Sequence, residues 1–160
     1  MTLVKKITVL GNFGVGKTSL IRKFVTNEFS TDYKVTIGVH VVKKEVEINN
    51  EIVSLVIWDL EGTDDLQKIN KAYLMGSHGF IYVYDVKRPS TYKNLEEDIS
   101  FLKTSFNTSL VMVVGNKVDI ITEEELHALK NSPANPNYFS SAKTGENIET
   151  LFNAIANQLI

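Results

Sequence analysis

Gly11-Asn12-Phe13-Gly14-Val15-Gly16-Lys17-Thr18 sets glycines, a lysine and a hydroxyl at the spacing G-x-x-x-x-G-K-[ST]. Glycines let the backbone curl until successive N–H groups converge into an anion nest. A helix that follows adds its positive end. Lys17 can then reach the outer phosphates of a nucleoside triphosphate, and the Thr18 hydroxyl can ligate Mg²⁺. The apolar run Ile7–Leu10 before the loop and the helical pattern Leu20–Val25 after it supply the strand–loop–helix context that this chemistry needs. Alone, the motif separates neither ATP from GTP nor a kinase from a switch.

Asn116-Lys117-Val118-Asp119 follows the apolar run Leu110–Val114, which reads as a buried parallel strand. A carboxylate accepts hydrogen bonds and donates none. Guanine offers two adjacent donors, N1–H and the 2-amino group, and adenine does not present that pair, so Asp119 can select guanine. Asn116 can bind the base edge and tie the loop to its neighbours, while the Lys117 stem lies along the ring. Ser141-Ala142-Lys143, after Tyr138-Phe139, can present a backbone N–H to the guanine carbonyl. Each short motif alone is equally an ordinary polar turn. In this order, behind a phosphate loop and with Asp59-Leu60-Glu61-Gly62 between them, they describe a guanine-nucleotide site.

The elements that must position these residues alternate along the chain. Leu3–Leu10 predicts a strand, and the helix after the phosphate loop runs to about Val25. Val39–Ile48 and Glu51–Leu60 are two strands around Asn49-Asn50, a turn short enough to make them an antiparallel hairpin. Gly79–Val86 is a further strand, and Thr91 to about Ser105 is helical, with Leu95, Ile99 and Leu102 on one face. Thr122 with Glu125 predicts a capping box for a short helix through Leu129. Pro133 and Pro136 mark a loop before a strand around Tyr138, and Ile148, Leu151, Phe152, Ile155, Ala156 and Leu159 form the stripe of a final helix. The expected fold is α/β: one domain over residues 1–160, a mostly parallel six-stranded sheet with one antiparallel edge strand, and helices on both faces. Ligands gather at the carboxyl ends of such strands, where all four motifs lie.

Taken together, these motifs resemble the Ras superfamily of small GTPases, over essentially the whole chain. Thr36-Ile37-Gly38-Val39, Ile57-Trp58-Asp59, Tyr84-Asp85-Val86, Ser90-Thr91-Tyr92-Lys93-Asn94-Leu95 and Ser140–Asn147 are most similar to the Rab branch. The resemblance implies a P-loop NTPase fold and GTP/GDP with Mg²⁺ as ligands. It places Phe29 against the guanine, Tyr33 over the phosphates, Thr36 on Mg²⁺ and the γ-phosphate, and Asp59 on a Mg²⁺-bound water. The Gly62 N–H would touch the γ-phosphate. The implied nucleotide set is Asn12, Phe13, Gly14, Val15, Gly16, Lys17, Thr18, Ser19, Phe29, Tyr33, Thr36, Gly62, Asn116, Lys117, Asp119, Ile120, Ser141, Ala142 and Lys143. The metal set is Thr18, Thr36 and Asp59, and the catalytic set is Lys17, Thr36, Gly62 and Thr63.

There are three departures from the family pattern. Where the family's second switch reads Asp-x-Ala-Gly-Gln-Glu, this chain reads Asp59-Leu60-Glu61-Gly62-Thr63-Asp64. The family glutamine orients the attacking water, and threonine is too short to span the same gap. Glu61, Asp64 and Asp65 could supply a substitute base, against the plainer reading of a solvated loop face. Phe13 stands where Ras has glycine, in the space that an activator's arginine enters for a gain of about 10⁵ in rate. Val41 replaces a phenylalanine that in Rab proteins completes an aromatic surface with the counterparts of Trp58 and Tyr73. His40, His78 and His127 have no metal-ligand spacing, and Tyr82 and Tyr84 fit packing at period two.

Net charge of −2 gives no general pull toward nucleic acid or acidic membrane. With no cysteine for prenylation or palmitoylation and Thr2 where a myristoylated chain has glycine, no direct membrane anchor is expected. A cytoplasmic monomer is expected, meeting an effector protein through the two switches and an exchange factor or activating protein. The leading functional reading is a slow GTPase used as a switch. A GTP-binding scaffold with negligible hydrolysis comes second. A metabolic phosphotransferase comes third, and the base-selecting Asn116–Asp119 motif argues against it.

Overall fold

The computed structural model describes residues 2–29 and 38–160. Its sheet has six strands: β1 (Thr2–Leu10), β2 (Val39–Ile48), β3 (Glu51–Leu60), β4 (Gly79–Asp85), β5 (Leu110–Asn116) and β6 (Tyr138–Ser140). They lie in the order β2-β3-β1-β4-β5-β6. Among the described residues only the β2–β3 pair is antiparallel; β1, β3, β4, β5 and β6 run parallel. The hairpin is set by its turn. Ile48 pairs with Glu51, and Asn49 and Asn50 take φ of 52° and 66°. Two positive φ values in a two-residue turn match the right-handed twist of the flanking strands, and asparagine tolerates them well.

Helices cover both faces. α1 (Lys17–Thr26) and α5 (Ile148–Gln158) lie on one side, where Leu20, Ile21, Phe24, Ile148, Leu151, Phe152, Ile155 and Ala156 are buried against the sheet. Phe24 and Phe152 stack with ring centroids 4.1 Å apart. On the other side, α2 (Lys71–Leu74), α3 (Leu95–Ser105) and α4 (Glu123–Lys130) contribute Leu74, Leu95, Leu102 and Leu129. β4 lies in the middle and is buried along its whole length. Alternation along it sends Phe80, Tyr82 and Tyr84 to one layer and Ile81 and Val83 to the other. Both tyrosine hydroxyls donate, Tyr82 to Asp98 and Tyr84 to the Ala134 carbonyl, each at 2.6 Å. Burial pushes both phenols far above their ordinary pKa. They are packing residues.

The helix expected from Thr91 starts at Leu95 instead. Pro89–Thr91 form a single 3₁₀ turn. The Thr91 hydroxyl accepts from the Asp85 N–H at 2.9 Å and donates to the Arg88 carbonyl at 2.7 Å. Thr91 is thus a strut at the end of β4. The 3₁₀ turn Leu66–Lys68 and α2 carry too few residues for a period to register in the sequence.

The capping box of α4 is formed. The Thr122 hydroxyl accepts from the Glu125 N–H at 3.1 Å, and the Glu125 carboxylate accepts from the Thr122 N–H at 3.3 Å. The returned hydrogen bond and Lys87 hold the Glu125 carboxyl below its usual range. Thr122→Ala is expected to cost about 1 kcal/mol of folding stability in urea unfolding, with an unchanged m-value.

Candidate nucleotide site

β1 ends at Leu10, and the chain turns into the phosphate loop under the ends of β4 and β5. Gly16 caps α1 at φ 98°, and a Cβ there would lie 2.5 Å from the Asn116 side-chain nitrogen. Only glycine fits both demands. Lys17, 6% exposed, folds back so that its ammonium donates to the Gly11 and Asn12 carbonyls, each at 3.0 Å. Burial pulls its pKa down to about 8, with Asp59 pushing the other way. Among the described residues no carboxylate comes within ion-pair distance of this ammonium, Asp59 acting on it only at longer range, and a phosphate group would supply a closer anion.

Thr18 and Asp59 meet across the site, with the Thr18 hydroxyl donating to Asp59 Oδ2 at 2.7 Å. Asp59 is 4% exposed, and among the described residues its Oδ1 has no hydrogen-bond partner. Burial raises its carboxyl pKa, opposed by Thr18 and then by Lys17. An orphaned, buried carboxylate oxygen beside a threonine hydroxyl fits Mg²⁺, which takes oxygen ligands and is usually held by one or two side chains plus phosphates and water. Among the described residues no group of three or more acidic, histidine or cysteine side chains is placed to hold a metal ion.

The base loop is tied to the phosphate loop. Asn116 donates to the Val15 carbonyl at 3.0 Å, and Lys117, in the left-handed region at φ 70°, donates to the Gly14 carbonyl at 2.8 Å. Ser140 donates to Asn116 Oδ1 at 3.0 Å, and Ser141 donates to Asp119 Oδ1 at 2.8 Å. Asp119 is exposed and oriented by that bond. Ala142 is buried, while Lys143, Ile120 and Phe29 are exposed. Ser19 follows Thr18 in the first turn of α1. Tyr33 and Thr36 lie outside the described residues.

Asp85 is a residue of the candidate site that sequence reasoning missed. It is 2% exposed at the end of β4, and its carboxylate pairs with Lys117 at 2.9 Å. The available signal was a lone acid closing an otherwise apolar strand.

The loop after β3 presses on the phosphate loop. A Cβ on Gly62 would lie 2.6 Å from Phe13 Cα and 2.7 Å from Phe13 N. The Thr63 N–H donates to the Gly11 carbonyl at 3.4 Å. The Thr63 hydroxyl is used within its own turn, donating to the Asp65 carbonyl at 3.3 Å and accepting from the Asp65 N–H at 3.2 Å. Asp65 in turn accepts from the Gln67 N–H at 3.1 Å, which is a capping role. Glu61 is exposed. Phe13 is 49% exposed on the crest of the phosphate loop.

Behind this loop, Trp58 and Tyr73 lie with ring centroids 6.3 Å apart, and Val41 is the register partner of Trp58. The Lys6 ammonium sits 3.8 Å from the Trp58 ring centre and donates to the Tyr73 and Met75 carbonyls, each at 2.8 Å. Desolvation lowers the Lys6 pKa.

The family model described as Ras family matches residues 6–160. The Ras-related protein Rab7 of Drosophila melanogaster is 35% identical over 161 residues, covering 94% of this chain and 78% of the relative. A Ras-related protein Rab-1 of Theileria annulata is 37% identical over 165 residues, 96% of this chain and 73% of that one. RABG3f of Arabidopsis thaliana is 36% identical over 164 residues, 94% and 80% respectively.

Proposed function

Because the chain belongs to the Ras family of small GTPases and is Rab-like within it, we propose that it is a GTP-driven switch whose own hydrolysis is slow. The observation that carries the reading is convergence: Lys17, the Thr18–Asp59 pair, and the Asn116, Lys117 and Ser141–Asp119 bonds meet at one end of the sheet. Thr18 and Asp59, with Thr36, would hold Mg²⁺, which when bound neutralises phosphate charge. Lys17 binds the outer phosphates, Asp119 reads the base, and the Gly62 N–H meets the terminal phosphate. Effectors read the two switches and the Val41–Trp58–Tyr73 surface, where valine gives less apolar area than an aromatic ring. A cytoplasmic monomer with one domain, its own exchange factor and its own activating protein completes the reading.

Slowness rests on Thr63. Its hydroxyl is engaged by Asp65, and it carries no amide to orient a water. Intrinsic hydrolysis is therefore roughly 10⁻⁴ per second or slower. The second reading, a GTP-binding scaffold with negligible hydrolysis, is favoured by the same residue and by Phe13. Single-turnover hydrolysis of GTP against a protein-free control separates them.

The same assay tests the roles of the two departures. Phe13→Gly with Thr63→Gln should raise the rate by more than the product of the single changes, because residues sharing one small site couple. A strictly multiplicative result would show that ring and threonine act independently. Loss of a substantial wild-type rate in Thr63→Ala would make threonine a working catalytic group. The same loss in Glu61→Ala would move the water-positioning role to the acid.

A further inference from the structure

The carbonyls of the phosphate loop are held from two sides. Those of Gly11 and Asn12 accept from Lys17. The next three, Phe13, Gly14 and Val15, accept in order from Arg88, Lys117 and Asn116 at 3.2, 2.8 and 3.0 Å. A peptide unit is planar and trans, so the carbonyl of one residue and the N–H of the next point in opposite directions. Pinning three successive carbonyls on the outer side therefore turns the N–H groups of Gly14, Val15 and Gly16 toward the concave side, where an anion would sit.

Asn116 and Lys117 belong to the base loop, but Arg88 does not. It comes from the turn after β4, where its backbone is fixed at both ends. Its N–H donates to the Asp85 carbonyl at 3.0 Å, and its carbonyl accepts from the Thr91 hydroxyl at 2.7 Å. The guanidinium is a planar fork. One arm, Nη1, faces the buried Asp85 carboxylate at 3.8 Å, and the other, Nη2, reaches the Phe13 carbonyl. The same carboxylate pairs with Lys117. A single acid thus orients the two cations that hold adjacent carbonyls.

We propose that Arg88 is a positioning residue of the phosphate site, fixing the Phe13–Gly14 peptide so that the Gly14 N–H faces the nucleotide's outer phosphates. This rests on the guanine-nucleotide reading above. It also explains how a loop with a bulky residue at its crest keeps a nest geometry. Phe13 cannot use glycine's freedom, and Arg88 holds its carbonyl from outside.

The test compares GDP with GMP, by calorimetric titration of the nucleotide-free protein with Mg²⁺ present. GMP carries only the phosphate nearest the ribose, and GDP adds one that the loop crest can reach. Arg88→Ala should lower GDP affinity about 10- to 15-fold, the low end for a hydrogen bond with a charged donor, and leave GMP affinity within about 2-fold. Arg88→Lys keeps the charge but loses the fork, and should fall between the two. Equal losses for GDP and GMP would mark Arg88 as merely structural and overturn the proposal, as would no loss of GDP affinity. Failure of the wild type to bind GDP would instead overturn the functional reading, and it is seen before any variant is made.

Discussion

Asp119→Asn turns the protein from a guanine-nucleotide binder into one that prefers xanthine nucleotides. The carboxylate is acceptor-only, and Ser141 fixes its rotamer by donating to Oδ1 at 2.8 Å. Guanine's N1–H and 2-amino group match it. An asparagine amide both donates and accepts, so it meets the 2-oxygen of xanthine and faces the guanine amine with a second donor. Sites built to hydrogen-bond a group reject analogues lacking it by about 10⁴ to 10⁵. The wild type should therefore hold GDP over ADP by about that factor, and the variant should invert GDP against XDP. Competition against a fluorescent guanine nucleotide measures all three. Equal wild-type affinity for the adenine and guanine forms would remove Asp119 from the role.

Gly62→Ala should lower single-turnover GTP hydrolysis by about 10²-fold, the usual loss when one preorganised backbone donor is withdrawn. GDP affinity should stay unchanged. The reason is contact with the main chain. The added Cβ would lie 2.6 Å from Phe13 Cα and 2.7 Å from Phe13 N, and neither atom can swing aside as a side chain does. The whole loop must back away, taking the Gly62 N–H out of reach of the terminal phosphate. Phe13→Gly cannot rescue this variant, because the collision is not with the phenyl ring. Equal losses of GDP and GTP binding would show instead that the change damages the phosphate loop itself.

Much of the framework that carries the candidate site was legible because its signals are local in sequence. The strand, glycine loop and helix around Lys17 are contiguous, and Asn49-Asn50 announces its own hairpin. The capping box at Thr122 needs only four residues to be recognised. The rest depends on distant partners. Thr91 has the pattern of a helix start, yet its hydroxyl is committed to Asp85 and Arg88. Asp85 and Arg88 gain their roles only when the sheet order brings β4 between β1 and β5. For Thr63, sequence gave the missing amide. Only the fold adds that its hydroxyl is spent on Asp65.

The bonds that hold the phosphate loop from outside join residues 75, 101 and 103 positions apart. As a polymer, the chain closes very large loops there, and closing each costs entropy before any contact repays it. A nucleotide spanning the phosphate loop and the base loop acts as a reversible cross-link over the same distance. At a concentration 100 times its dissociation constant it adds about 2.7 kcal/mol to the whole fold. Its departure is thus more than the emptying of a groove. β1 and β5 lie on either side of β4, and with the ligand gone the loops that follow them are joined only by the chain's own hydrogen bonds. Amide hydrogen exchange should rise at both margins together, although they are far apart in sequence.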